Sequence, residues 1–260
     1  MATFLFDDII FGPVKSRRLG VSLGINLLPT KRKICNFNCI YCECGWTKDI
    51  EKAVSHLPSR EEVYKALELK LLEMKVNGLT PDVITYAGNG EPTLHPKFAG
   101  IIDDSILLRD KYFPDSEIAV LSNATTINNP LIKAALLKVE KNILKLDSAI
   151  ESTLKLFNQP RIPVQIEELI ENLCSFNGKL IIQTLFLQGL YNNAVIDNTT
   201  QTELDAWLKA IERIRPSEVM IYTISRDTPE GSLLKKVPLK ELRRIASMVE
   251  SLGLKTQVSG

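Results

Sequence analysis

The sequence predicts an α/β fold in which about six strand–helix units form an open, partial barrel around a parallel sheet. Apolar, β-branched runs alternate with helical patterns along most of the 260 residues. Most of these runs are continuously apolar, as expected of strands covered on both faces. Parallel strands joined by right-handed helical crossovers give such a sheet. A closed barrel of eight units takes ~250 residues. Because a long loop follows the first strand here, a partial TIM-like β/α barrel fits the length better.

The strands and helices follow from local signals. Ser59 and Glu62 form a capping box at the start of the first helix, and Gly78 ends it. The predicted strands are 21–28, 83–87, 117–121, 143–146, 179–187, 218–223 and a short last one at 255–258. The predicted helices are 60–77, 96–113, one opened by Asn129-Pro130, and 164–176, 202–214 and 238–252. We expect one domain, 1–260, with residues 1–20 as an N-terminal extension packing on the barrel.

Composition narrows the class of protein. Hydrophobic residues make up 45% and charged residues 24%, so a substantial core can form. A net charge of +1 gives no argument for bulk electrostatic binding to nucleic acid or to a membrane. The N-terminus lacks a basic region and carries Asp7 and Asp8, unlike a signal peptide. With no apolar run of about 18 residues, we expect a cytoplasmic protein without membrane contact.

Four of the five cysteines lie within residues 35–44. The spacing is Cys35-x3-Cys39-x2-Cys42, with Cys44 two residues on. Disulfides this close would be strained and do not suit the compartment. A zinc site usually has a second pair of cysteines or a histidine pair, and would here have to recruit Cys44. The pattern favours an iron–sulfur site with three thiolates, since Cys174 lies on the apolar stripe of a helix and is interpreted as core. One iron then keeps an open position.

This spacing, with Tyr41 just before the third cysteine, resembles the radical S-adenosylmethionine (SAM) superfamily. The stretches "SRRLGVSLGINLLPTKRKICNFNCIYCECGW" and "YAGNGEPTLHP" are similar to the iron–sulfur oxidoreductase branch related to wyosine-type tRNA-modifying enzymes. The resemblance implies that Cys35, Cys39 and Cys42 ligate a [4Fe–4S] cluster. It also implies that the fourth iron binds the methionine part of SAM and that Cys44 is not a ligand.

Further site residues are expected where strands end. The resemblance implies that a Gly-Gly-Glu-Pro-like segment holds the methionine amino group, and here Asn89 separates the two glycines of Gly88–Pro92. It also implies that polar groups at other strand ends bind ribose and carboxylate. The residues assigned to the cofactor site are Tyr41, Gly88, Asn89, Gly90, Glu91, Ser122, Asn123, Asp147 and Gln183. Turn, helix-cap and core-amide roles are the structural alternatives for this set.

Three other features keep two interpretations each. Arg17 and Arg18 form a solvated face or line the open edge of the barrel and meet phosphate. Arg226 pairs with Asp227 or Glu230 on the surface or meets a substrate carboxylate or phosphate. His95 is a structural helix-start histidine or a proton donor.

The predicted function is reductive SAM cleavage at the cluster to give a 5′-deoxyadenosyl radical, which abstracts hydrogen from a substrate. The partners are SAM, a flavodoxin- or ferredoxin-like electron donor, and a substrate that is protein, tRNA or a small molecule. The alternative is a non-catalytic iron–sulfur or zinc module for electron transfer or docking.

Overall fold

The computed structural model describes residues 4–47 and 57–260. His56, one of the two histidines in the sequence, lies outside them. The strands in the described part are β1 (Ile10–Ser16), β2 (Gly20–Ile25), β3 (Val83–Tyr86), β4 (Glu117–Ser122), β5 (Lys141–Lys145), β6 (Ile181–Tyr191), β7 (Ala194–Asp197), β8 (Glu218–Thr223), β9 (Leu234–Lys236) and β10 (Thr256–Ser259). The α-helices are α1 (Arg60–Val76), α2 (Phe98–Tyr112), α3 (Pro130–Leu136), α4 (Glu151–Asn158), α5 (Ile166–Cys174), α6 (Gln201–Ile214) and α7 (Leu239–Glu250).

The sheet is an open, partial β/α barrel. Its strand order is β1-β2-β3-β4-β5-β6-β8-β10, and the pairs from β2 onward are parallel. Within the two described stretches, no backbone pairing joins β1 to β10, so the sheet does not close. The prediction of an open, partial TIM-like barrel is confirmed.

Side chains connect the two edges of the sheet. The turn between β1 and β2 carries Arg17, whose guanidinium donates to Ser225 Oγ at 2.6 Å. Gln257 of β10 donates its side-chain N–H to the carbonyl of Arg18 at 2.9 Å. The β1–β2 turn therefore reaches across the opening to the far edge of the sheet.

Local signals explain the predicted elements. Ser59 accepts from the Glu62 backbone N–H at 3.2 Å, and the Glu62 carboxylate accepts from the Ser59 N–H at 2.7 Å. Asn129 caps α3, with Pro130 as its first residue. Helices α1, α2, α5, α6 and α7 and all seven predicted strands are present, with ends shifted by a few residues.

Four elements were not predicted: β1, β7, β9 and α4. β1 pairs antiparallel with β2, and β7 and β9 pair with the long outer half of β6. β7 and β9 are four and three residues long and depend on that partner strand. Helix α4 begins after Ile150, which offers no side-chain cap, so the usual start signal is missing.

The main core lies between the sheet and the helices. It includes Leu23, Leu67, Ile84, Ile118 and Ile182, all fully buried or nearly so. A second apolar cluster surrounds the cysteines at the carboxyl ends of the strands and includes Phe37, Ile40 and Phe157. Over residues 4–47 and 57–260, no helix has the length and apolar character to cross a bilayer.

Candidate functional site

A cavity of about 290 Å³ lies at the carboxyl ends of the parallel strands. The cysteine loop (residues 31–46) and the glycine loop (residues 88–91) meet there with the ends of β4, β5, β6 and β8. The structure brings ten of the twelve predicted site residues to this cavity: Cys35, Cys39, Tyr41, Cys42, Gly88, Gly90, Glu91, Ser122, Asn123 and Gln183. Asn89 and Asp147 do not line it.

Two backbone hydrogen bonds fix the cysteine loop to the glycine loop. The N–H of Ile34 donates to the Asn89 carbonyl at 2.9 Å, and the N–H of Glu91 donates to the Ile34 carbonyl at 3.0 Å. Gly90 lies between them with φ +140°, and a Cβ there would lie 1.8 Å from the Ile34 oxygen. Only glycine therefore permits the two loops to approach this closely.

Helix α4 holds the other side of the cysteine loop. The Asn38 N–H donates to the Asn158 carbonyl at 2.8 Å, and the Ile40 N–H donates to the Phe157 carbonyl at 3.0 Å. The last turn of α4 therefore sets the position of the segment on both sides of the second cysteine, Cys39. Sequence reasoning missed this support because it missed the helix.

The cysteines have different proton affinities. Burial raises the pKa of Cys35 to about 12, and burial also raises the pKa of Cys39. The S–H of Cys44, followed by the charge of Lys33, lowers the pKa of Cys42. Of these three cysteines, Cys42 therefore loses its proton most readily, and the thiolate is the form that binds metals.

Two lysines supply positive charge beside the sulfurs. Lys33 is 6% exposed and donates to the Gly45 carbonyl at 2.9 Å. Burial opposes its charge, but the charges of Cys42, Cys35 and Cys39 raise its pKa overall. Lys145 lies across the cavity, where burial is likewise outweighed by Asp147 and Tyr222, so its pKa is raised. Both lysines therefore favour anionic sulfur in this cavity.

The donor set fits an iron–sulfur cluster. In the part of the chain that the structure describes, no three His, Cys, Asp or Glu side chains converge as the ligands of one metal ion. Thiolates of an iron–sulfur cluster need not converge in that way, because each one binds its own iron. Three cysteines that surround a cavity and face buried lysines offer this kind of donor set. Cys44 adds a fourth sulfur, whose S–H contacts the Gly88 carbonyl at 3.2 Å.

Asp147 lies beneath the cavity floor, in a buried network. Its carboxylate accepts from the Tyr41 hydroxyl, from Asn158 Nδ2 at 2.7 Å and from the Leu185 N–H at 3.0 Å. Asn158 Nδ2 also lies 3.4 Å from the Cys39 sulfur. These contacts occupy the carboxylate and fix Tyr41 behind the second cysteine, so Asp147 supports the site without reaching the cavity.

Glu91 orients the glycine loop. One carboxylate oxygen accepts from the backbone N–H and hydroxyl of Thr93, at 3.1 and 2.6 Å. The other accepts from the Asn123 N–H at 2.7 Å. The residue is 2% exposed, and this burial raises its pKa. Of the two roles left open by the sequence, these contacts favour that of fixing the loop to the end of β4.

Asn89 faces away from the cavity. Its side chain exchanges hydrogen bonds with the backbone of Phe6, at 2.8 and 2.9 Å, and donates to the Pro29 carbonyl at 2.9 Å. It thereby ties the N-terminal segment to the glycine loop. The neighbouring Asn123 does reach the site, since its Nδ2 lies 3.6 Å from the Cys35 sulfur and donates to Asn36 at 2.6 Å.

The remaining candidates take clear positions. His95 is 4% exposed, with Nε2 on the Pro58 carbonyl at 2.8 Å and Nδ1 accepting from the Lys97 N–H at 3.1 Å. It is therefore a structural histidine. Cys174 packs against the main core, away from the cavity. Arg226 lines the cavity and pairs at 2.6 Å with Glu43 of the cysteine loop, so the expected pairing with Asp227 or Glu230 is wrong.

Comparisons with other proteins support a family assignment. No protein-family model matches the chain. A UPF0026 protein of Helicobacter pylori strain J99 is 32% identical over 253 residues, which cover 94% of this chain and 74% of the relative. A UPF0026 protein of Methanocaldococcus jannaschii is 27% identical over 256 residues. The GTPase Obg of Brachyspira hyodysenteriae is 30% identical over 223 residues, but the chain spans only 30% of that protein's length.

Solved structures share the fold at low sequence identity. A radical SAM methyltransferase from Sphaerobacter thermophilus matches with TM-score 0.67 and 12% identity, covering 92% of this chain and 65% of that one. Streptococcus suis SuiB bound to precursor peptide SuiA matches with TM-score 0.63 and 17% identity, covering 91% and 48%. Archaeal TYW1 matches with TM-score 0.53 and 14% identity, covering 88% and 71%. The chain thus has the fold of radical SAM enzymes.

Proposed function

Because the chain belongs to the UPF0026 family and has the radical SAM fold, we propose that it is a radical SAM enzyme that cleaves SAM at a [4Fe–4S] cluster. One observation carries this proposal. Cys35, Cys39 and Cys42 line the same cavity as the glycine loop, at the carboxyl ends of the parallel strands. This edge is where β/α barrels place their functional loops.

The residues divide the work of binding. When bound and reduced, the cluster would supply one electron that breaks the sulfonium bond of SAM, giving methionine and a 5′-deoxyadenosyl radical. The three cysteines would hold the cluster, with Lys33 offsetting their negative charge. Backbone carbonyls in the glycine loop are suited to accept from the methionine ammonium group. Ser122, Asn123 and Gln183 add polar groups on the facing strand ends.

The protein also keeps reactive groups away from water. Phe37, Leu185 and Ile224 line the cavity between its polar walls and are 2%, 4% and 8% exposed. Apolar walls exclude water and prevent a radical from being quenched before it meets the substrate. Tyr41, which lines the cavity, is hydrogen-bonded to Asp147 beneath it, and this contact holds the cysteine loop in place.

The finer assignment is part of the same proposal. Membership in the iron–sulfur oxidoreductase branch related to wyosine-type enzymes rests on the two stretches quoted above, with the fold likeness to archaeal TYW1 as support. The substrate is a protein or peptide, a tRNA or a small molecule. A flavodoxin- or ferredoxin-like protein would supply the electron, in the cytoplasm.

A non-catalytic zinc or iron–sulfur module is the second candidate, and Cys44 is the observation that favours it. Its sulfur lines the cavity with the other three and lies beside Cys42. Four thiolates would complete a structural zinc site and leave no open position. An electron carrier or docking module would have no need of the glycine loop and polar strand ends that face these sulfurs.

Anaerobic reconstitution with iron and sulfide separates the two candidates. The proposal predicts a brown protein that converts SAM to 5′-deoxyadenosine under dithionite. Substituting Cys35, Cys39 or Cys42 by alanine should abolish both properties, whereas Cys44→Ala should keep the cluster. Cys174→Ala is the matched control, since Cys174 lies in the core away from the cavity. A colourless zinc protein, or a brown protein inert to SAM, would refute the proposal.

A further inference from the structure

One part of the cavity wall is rich in arginine and hydroxyl groups. Arg17 and Arg18, from the β1–β2 turn, line the cavity with Ser225, Arg226 and Thr228, which follow β8. We call these five residues the arginine wall. Two segments that are about 200 residues apart in the chain thus build one surface.

Arg18 is held in place by its neighbours, but one of its guanidinium nitrogens lacks a hydrogen-bond partner among the described residues. Its guanidinium carbon lies 4.5 Å from the centre of the Tyr222 ring, and its backbone carbonyl accepts from Gln257. Among the described residues its Nη1 is buried and has no hydrogen-bond partner. A guanidinium N–H that is buried without an acceptor costs free energy, so it calls for a ligand.

The hydroxyl of Thr228 likewise lacks a hydrogen-bond partner among the described residues. The residue is 4% exposed and lines the cavity, yet its Oγ1 is also buried without a partner in the part of the chain that the structure describes. Arg18 and Thr228 come from segments that are about 200 residues apart, and among the described residues no hydrogen bond links these two side-chain atoms. Two unsatisfied polar groups on one cavity indicate a polar ligand that contacts both.

The positive charge of the arginine wall indicates that the ligand carries a negative charge. The acidic residues that line this cavity are Glu43 and Glu91, and both are engaged. Glu43 pairs with Arg226 at 2.6 Å, and Glu91 accepts from Thr93 and Asn123. Arg17 donates to Ser225 Oγ at 2.6 Å and to the backbone oxygen of Gly260 at 2.7 Å, and among the described residues that line the cavity it pairs with no Asp or Glu side chain. The wall is therefore positive where it meets the cavity.

We propose that the arginine wall binds an anionic oxygen group, a carboxylate or a phosphate, on the substrate. Arginine presents parallel N–H donors that match two oxygens of such a group, and Thr228 adds a hydroxyl donor. The assignment to a substrate rests on the proposed function, because the cysteine and glycine loops that would hold the cluster and SAM line other parts of the same cavity. The substrate class is then an anionic molecule or an anionic portion of a larger one.

Thermal unfolding of the anaerobically reconstituted protein tests this site. The midpoint is measured in increasing inorganic phosphate and, separately, in increasing acetate, against chloride at fixed pH and ionic strength. An anion that binds the native state raises the midpoint in a saturable way. The phosphate and acetate arms distinguish the two sources of the anionic group. Each titration is repeated with saturating SAM, whose own stabilising effect is recorded in the same preparation.

Variants connect the effect to the wall. Arg18→Gln should weaken the binding of the effective anion about 10-fold or more, as expected for a hydrogen bond to a charged group. Thr228→Val should weaken the binding of that anion severalfold. This variant tests the site if Arg18→Gln does not fold. Arg243→Gln, an exposed arginine on α7, is the matched control and should bind as the wild type does.

Each outcome has a distinct meaning. The site is refuted if neither anion saturates, if the wall variants match Arg243→Gln, or if SAM displaces the anion and so shares its place. Anion binding without any SAM binding would uphold the site and reject the proposed function. SAM binding without any effect of either anion would refute the anion site and leave the proposed function standing.

Discussion

Replacing Gly90 by alanine probes the contact between the glycine loop and the cysteine loop. The added Cβ would lie 1.8 Å from the carbonyl oxygen of Ile34 and 2.5 Å from its carbon, both of which are backbone atoms. The residue also has φ +140°, a conformation that L side chains rarely adopt. The loops must therefore separate, and the two hydrogen bonds through Ile34 are lost.

The size of the effect follows from these contacts. Backbone strain contributes about 1–3 kcal/mol, and each lost buried hydrogen bond costs about 1–3 kcal/mol when its partners are left unsatisfied. The sum is roughly 3–9 kcal/mol off the free energy of unfolding. For a chain of this length that lowers the midpoint of thermal unfolding by roughly 10 °C or more. Iron content after reconstitution should fall as well, because the first cysteine follows Ile34 directly.

Gly78→Ala is the matched control. Gly78 also has a positive φ, +67°, but nothing lies within 4 Å of the position that a Cβ would occupy there, just past the end of α1. In this variant the free energy of unfolding should fall by only about 1–2 kcal/mol, because alanine is disfavoured in the left-handed conformation. The variant should bind iron normally. If Gly90→Ala unfolds no earlier than Gly78→Ala and retains its iron, the loops are not joined as described.

Two further predictions concern buried polar groups. Burial lowers the pKa of His95 below its ordinary value of 6.5. The unfolded chain then binds a proton near pH 6.5 that the native state resists, so the free energy of unfolding should fall as the pH drops below 6.5. His95→Gln should remove that part of the pH dependence in denaturant titrations, and identical pH profiles would contradict the assignment. Glu91→Gln should lower the unfolding free energy by about 2–3 kcal/mol, because an amide N–H₂ would replace an acceptor that faces N–H donors. The exposed Glu61→Gln should leave the unfolding midpoint unchanged, and an equal shift in both variants would refute the role given to Glu91.

Much of the fold could be predicted because its signals are local. The capping box at Ser59 and the glycine at 78 fix α1 to within one residue of its observed end. Apolar runs likewise marked six of the seven parallel strands, whereas β10 has no such run and was expected only as a short strand after Gly253. Helix α4 lacks a capping side chain, and β7 and β9 depend on pairing with β6, so no local signal identifies them.

The site was predictable in composition but less so in orientation. The cysteine spacing and the strand ends identified ten residues that do line the cavity. Sequence position could not show that Asn89 turns toward Phe6 or that Asp147 faces Tyr41, because strand-end residues point in directions set by distant partners. Lys33 was missed for the same reason: its charge matters only because the loop folds it onto the sulfurs.

Electron paramagnetic resonance of the anaerobically reconstituted, dithionite-reduced protein, with iron analysis, tests the three-cysteine cluster most directly. We expect about four irons per chain and a reduced-cluster spectrum that changes when SAM is added, in wild type and in Cys44→Ala alike. Zinc in place of iron, or a spectrum that SAM leaves unchanged, would contradict a cluster held by three cysteines with one iron open to SAM.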